Sequence, residues 1–212
     1  MRVIFDMDGT LLRLEVDIEE ARLRLAALFK PHGVTRPFRP ILRRIREAAR
    51  EAGDEALVGQ GMAVLDELEV AAARSARARG GAVEVARALV DRGDVLGIVT
   101  DNGRACVPVA LAAAGLDPRA FRAVITRDDV PAPKPDPAGV VACATAMAGS
   151  RPDGPVWYVG DHPRDVEAGR AAAKAVPGLK VAALVGGYAA EADLRAAGAD
   201  AVLAELRGVL RL

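Results

Sequence analysis

Asp6 and Asp8 stand one residue apart, between the apolar run Val3-Ile4-Phe5 and the turn signal Gly9-Thr10. Two carboxylates this close repel each other unless a cation or a proton lies between them. Ligands that offer only oxygen select a hard divalent ion, Mg²⁺ above all. Other stretches repeat the pattern of a short apolar run ending in polar residues. Ile98-Val99-Thr100 leads into Asp101-Asn102-Gly103, where a hydroxyl and the backbone N–H groups opening a helix at Arg104 can grip phosphate oxygens. Trp157-Tyr158-Val159-Gly160 leads into Asp161-His162-Pro163-Arg164-Asp165. Its two carboxylates have the spacing of successive turns at a helix start and can face one cavity. Lys134 lies in Pro131-Ala132-Pro133-Lys134-Pro135-Asp136-Pro137, clamped between prolines in a chain with only four lysines. A compact ammonium suits a phosphoryl oxygen and a carboxylate at once. Taken singly, each stretch is equally a helix cap, a turn or a solvated lysine.

The elements that must carry these residues follow from the apolar periodicity. Short β-branched runs over 3–5, 95–100, 123–126, 156–160, 181–185 and 201–203 predict strands. Between them, 83–91, 104–114, 137–148, 164–175 and 190–197 predict helices, with a terminal helix after the last strand. Strands alternating with helices predict an α/β fold built on a doubly wound parallel sheet with right-handed crossovers. In such a sheet ligands bind where the strands end, which is where every polar cluster above is found.

Residues 15–80 break the alternation. Asp17 predicts an N-cap for a helix over 18–30 with Leu23, Leu25, Leu28 and Phe29 on its apolar side. A second helix is predicted over 38–52, with Phe38, Ile41, Leu42, Ile45 and Ala49 as its stripe. Arg39, Arg43, Arg46 and Arg50 line a neighbouring face, read as a solvated face paired with Glu47 and Glu51, or else as a recognition surface for an anionic substrate. A third helix over 54–79, with Met62, Leu65, Leu68 and Val70 among its apolar positions, is closed by Gly80-Gly81. The pattern divides the chain into a core, 1–14 and 81–212, and a small all-helical cap, 15–80, with hinges near 12–14 and 80–81.

Composition removes several classes of function. Basic and acidic residues number 29 each, so the chain lacks the overall basic field of a nucleic-acid binder, and a small-molecule partner is expected. No apolar stretch is long enough to span a bilayer, and charged residues interrupt the only signal-peptide candidate, so a cytoplasmic protein without membrane contact is expected. Two histidines exclude a His-rich zinc site. The only serines, Ser75 in a charge-rich helix and Ser150 in a loop, lie in no nucleophile elbow, which leaves carboxylates as nucleophiles. Cys106 and Cys143 lack metal spacing and read as reduced, buried thiols.

Asp6-Met7-Asp8-Gly9-Thr10, Thr100-Asp101-Asn102, Lys134-Pro135-Asp136-Pro137 and Gly160-Asp161-His162-Pro163-Arg164-Asp165 occur in the order of the four motifs of the haloacid dehalogenase-like superfamily, which this sequence resembles. The resemblance covers the whole core and implies a Rossmannoid sheet. The helical insertion resembles a C1 cap of the kind found in phosphoglycolate phosphatases. The resemblance implies Asp6 as nucleophile and Asp8 as general acid and base. It further implies Thr100, Asp101, Asn102 and Lys134 around the phosphate, and Mg²⁺ held by Asp6, the Asp8 carbonyl and Asp161, with Asp165 behind them. The expected activity is hydrolysis of a small phosphorylated metabolite such as phosphoglycolate, a sugar phosphate or a nucleotide, by a monomer or homodimer. A mutase of the β-phosphoglucomutase kind and a catalytically idle binding protein on the same fold are the alternatives. His162 departs from the pattern, since Ser or Thr is more usual there.

Overall fold

A computed structural model describes residues 1–149 and 154–212; Ser150, expected in a loop, lies outside them. The chain opens with β1 (Arg2–Phe5), β2 (Leu12–Arg13), α1 (Ile18–Phe29), α2 (Ile41–Ala52), α3 (Ala56–Ala73) and β3 (Arg77–Ala78). It continues with α4 (Ala82–Asp91), β4 (Val95–Val99), α5 (Cys106–Ala113), β5 (Phe121–Ile125) and α6 (Ala138–Ala146). After these come β6 (Val156–Gly160), α7 (Pro163–Ala172), β7 (Leu179–Leu184), α8 (Glu191–Ala196) and β8 (Ala201–Leu203).

Among the described residues, six strands form one parallel sheet in the order β5-β4-β1-β6-β7-β8, with β1 flanked by β4 and β6. Successive side chains of β1 serve opposite faces. Val3 and Phe5 pack with α4 and α5, through Ala82, Val85, Cys106 and Val107, while Ile4 packs with Val140 and Cys143 of α6 and Ala168 of α7. With helices on both faces the sheet is doubly wound, and its strands read as continuous apolar runs because both faces are buried. Cys106 and Cys143 are buried free thiols. No helix among the described residues is long and apolar enough to cross a membrane.

The helices α1 to α3 share a separate apolar cluster that includes Leu25 and Phe29 of α1, Ile45 of α2 and Leu57 and Leu65 of α3. The rings of Phe29 and Phe38 meet at 5.2 Å between centroids. Asp17 caps α1 by accepting from the Glu20 N–H at 2.9 Å. Leu23, expected on the apolar side, is exposed. The helix expected from residue 38 begins only at Ile41, because Pro40 is extended and the residue before a proline is steered away from helical backbone.

Other differences lie where the three helices join the rest of the chain. The third helix ends at Ala73 instead of near 79, and Arg77–Ala78 then pairs antiparallel with Leu12–Arg13. A strand therefore lies inside a stretch expected to be all helix; two residues are too few to show alternation in the sequence. The last expected helix is a 3₁₀ turn over Leu206–Arg211. Of the arginine stripe, Arg43 pairs with Glu47 and Arg39 with Glu19, while Glu51 pairs instead with Arg36 and with the buried Arg44. The exposed pairs contribute at most about 1 kcal/mol each. Phe29→Ala, which removes a fully buried ring, is expected to lower stability by about 3–5 kcal/mol in urea unfolding.

Candidate active site

Asp6 follows β1 and Asp161 follows β6; the two strands are paired up to Phe5 and Val159, and the Asp6 N–H donates to the Val159 carbonyl at 2.8 Å. Their carboxylates therefore leave the sheet side by side. Asp165, in the first turn of α7, completes a group of three buried carboxylates whose oxygens lie within 4.8 Å of one another. Lys134, from the loop between β5 and α6, joins this group: its Nζ donates to Asp6 Oδ1 at 2.5 Å and to Asp165 Oδ1 at 2.6 Å.

Each acid is fixed by its own neighbours. Asp165 accepts from the Tyr158 hydroxyl at 3.0 Å and from the His162 N–H at 3.0 Å. His162 Nδ1 accepts in return from the Arg164 N–H at 3.1 Å, so the imidazole caps α7 where a hydroxyl would be more usual. Asp161 accepts from the Thr10 hydroxyl at 2.9 Å and the Tyr188 N–H at 2.8 Å. The backbone approaches so closely that a Cβ on Gly187 would lie 2.1 Å from Asp161 Oδ2, and only a glycine fits there. Arg79 ties the ends of β1 and β7 together by donating to the Gly9 and Val185 carbonyls.

Burial raises the Asp6 carboxyl well above the ordinary range; Lys134 pulls the other way, and Asp165 and Asp161 add to the rise. Burial also raises Asp161. Asp165 stays below the usual carboxylate range, since Lys134, Tyr158 and the His162 N–H outweigh its burial. The Lys134 ammonium is raised despite burial, by Asp165 and Asp6. One ammonium serves three buried carboxylates, two of which stay raised for want of further positive charge, and oxygen donors at this spacing fit a hard divalent cation.

The Asp8 side chain stands apart from this group. Its Oδ1 accepts from the Leu14 N–H at 2.8 Å, and the Tyr188 hydroxyl lies 3.1 and 3.2 Å from its two oxygens. Burial pushes its carboxyl up to about 6, with those two donors opposing the rise.

Thr100 lies at the tip of β4, beside β1, with its hydroxyl donating to Asn102 Oδ1 at 2.8 Å. Thr100, Asp101 and Lys134 line one small recess. Asp101, expected at the phosphate, accepts through its carboxylate from the Lys134 N–H at 3.1 Å and faces Arg164 at 3.7 Å, which orients the lysine loop. The N–H groups expected to meet a phosphate near Arg104 are also engaged. Gly103 donates to Glu69 and Arg104 to Asp128, and α5 begins only at Cys106.

Several residues at the site have no counterpart in the sequence reading. Tyr188 sits past the last strand that borders the site, and Gly186-Gly187 was its only signal. Tyr158 is a hydroxyl on an otherwise apolar strand, noticeable only once its face is known.

A family profile described as haloacid dehalogenase-like hydrolase matches residues 1–173. The chain is 38% identical over 97 residues to pyrophosphatase PpaX of Bacillus pumilus, across 46% of this chain and 44% of that protein. It is 30% identical over 141 residues to an uncharacterized protein in the fgs 3′ region of Lacticaseibacillus casei, across 64% of this chain and 65% of the relative. The chain thus aligns to less than two thirds of either relative. Among solved structures, a hydrolase from Pseudomonas syringae matches with a TM-score of 0.71 at 23% identity, covering 100% of this chain and 96% of that one, and shares its fold.

Gly187→Ala should displace Asp161 and lower the affinity of the acidic group for a divalent cation by about 10–100-fold in calorimetric titration, with the far-UV circular dichroism unchanged.

Proposed function

We propose that this chain, which belongs to the haloacid dehalogenase-like hydrolase family, is a Mg²⁺-dependent phosphatase of small phosphomonoesters that works through an aspartyl-phosphate on Asp6. The observation that carries the reading is Lys134 Nζ bonded to Asp6 and Asp165 within one buried acidic group at the strand ends. The name of the PpaX relative supports phosphoryl chemistry at this kind of site.

With one oxygen held by Lys134, Asp6 attacks phosphorus through the other. A bond from Asp6 to phosphorus forms as the ester oxygen departs, which splits one difficult displacement into two easier ones. Asp8 gives its proton to the departing alkoxide. Its carboxyl near 6 supports this, because an appreciable share holds a proton at neutral pH. In the second half Asp8 takes a proton from water, the water oxygen bonds to phosphorus, and the Asp6 carboxylate leaves with release of inorganic phosphate. The Thr100 hydroxyl and the Lys134 ammonium hold phosphoryl oxygens, and Asp165 keeps Lys134 in place. Mg²⁺ held by Asp6, the Asp8 carbonyl and Asp161, with Asp165 behind them, would neutralise charge on the transferring group.

The purified protein, assayed against a panel of phosphorylated metabolites and p-nitrophenyl phosphate, is expected to release phosphate with Mg²⁺ and to stop with EDTA. Asp6→Asn should leave no metal-dependent release, and appreciable turnover in that variant would refute the nucleophile. Asp8→Asn should lower kcat by about 10²–10⁴-fold on alkyl phosphates. It should cost far less on p-nitrophenyl phosphate, whose phenolate leaves without a proton.

A further inference from the structure

A second polar cluster crosses from the helical insertion to the core, behind the loop that carries Thr100 and Asn102. Arg127, buried just after β5, donates through Nη1 to Glu69 Oε1 at 2.6 Å and to the Asp101 carbonyl at 3.1 Å, and through Nη2 to Asp66 Oδ1 at 2.5 Å. Its backbone N–H donates to the Asn102 carbonyl at 3.3 Å. Glu69, also buried, accepts from the Gly103 N–H at 2.8 Å through its other oxygen. Gly103 has no space for a side chain, since a Cβ there would lie 2.1 Å from Asp66 Oδ1 and 2.8 Å from Arg127 Nη2. Asp101, Asn102 and Gly103 are thus each held by the Arg127–Glu69 pair. Both Asp66 and Glu69 belong to α3, a helix of the insertion.

Stability alone is a weak reason for this arrangement. Desolvating a buried ion pair costs about as much as the pair returns, and apolar residues of the same volume would fill the space as well. What the charges add is direction: the guanidinium holds the 101–102 peptide by its carbonyl and the carboxylate holds the 102–103 peptide by its N–H, so two consecutive peptide groups are fixed in one orientation. Glu69 also takes the Gly103 N–H, which would otherwise be offered to an anion at the start of α5. We propose that Glu69 and Arg127 are positioning residues for the phosphate-binding loop, through which α3 sets where Thr100 and Asn102 present themselves; this rests on the phosphatase reading above. A loop misplaced by about 1 Å costs up to a hundredfold in rate or binding.

The test uses Glu69→Gln, Arg127→Met and the double variant of the full chain. Hydrogen exchange reads the amides of 101–103, and KM, kcat and the inhibition constant of inorganic phosphate are measured with p-nitrophenyl phosphate. Each single variant is expected to speed exchange at Gly103 at least about tenfold and to raise KM and the phosphate constant by about tenfold, with kcat changed less. The double variant should be no worse than either single one, because the two act as a unit. Asp66→Asn, at a partly exposed arm of the cluster, should give the same pattern about threefold weaker, and carries the comparison if Glu69→Gln does not fold. Faster exchange throughout the chain with KM unaltered, or unchanged exchange at 101–103, overturns the proposal. If wild-type protein hydrolyses no ester, the phosphatase reading fails, and exchange at 101–103 in the variants still decides whether the pair holds the loop.

Discussion

A single ammonium, Lys134 Nζ, stands between Asp6 and Asp165 in a region from which water is almost wholly excluded. Burying carboxylates next to one another opposes their ionisation, and nothing in an apolar sheet end relieves that penalty. The ammonium outweighs it for Asp165 and only opposes it for Asp6, and the Thr10 hydroxyl and Tyr188 N–H partly solvate Asp161. Asp6 and Asp161 remain raised, so positive charge from a ligand would favour the ionised form of both. Every loop around the site serves this balance. Asp101 holds the lysine loop by its backbone, His162 caps the helix that presents Asp165, and Arg79 ties the ends of β1 and β7.

The sheet makes such proximity inexpensive. Parallel strands in register end at the same level, so residues far apart in sequence emerge as neighbours with no long side chain needed to span the gap. Because both faces of the sheet are covered by helices, the strand ends are the place where polar groups can gather without disturbing the core. That is why short side chains such as Asp and Thr dominate the site.

Much of this was legible in the sequence. Asp6, Thr100 and Asp161 each end an apolar run, and an interrupted run of β-branched residues is a local signal. Lys134 stood out through its proline neighbours and the rarity of lysine. What escaped detection depends on contacts between distant segments. The two-residue strands at Leu12–Arg13 and Ala78–Arg77 exist only because they meet, and the early end of α3 follows from that pairing. Glu69 and Arg127 look like ordinary surface charges in a chain that is 27% charged, and only their burial distinguishes them. The backbone donors assigned to an anion near Arg104 were misread for a related reason: the carboxylates that occupy them come from α3 and from the loop after β5.

The paired strands β2 and β3 bring the chain into and out of the three-helix segment α1 to α3 side by side. A segment whose two ends are neighbours can be exchanged for another without tearing the host, so this is a natural splice point for grafting a foreign helical module. The graft would nevertheless not be free to choose its third helix. Removing α3 would strand the Arg127 guanidinium without its acids, and any transplanted module must bring a carboxylate to the same spot or leave the host with an orphaned charge inside it.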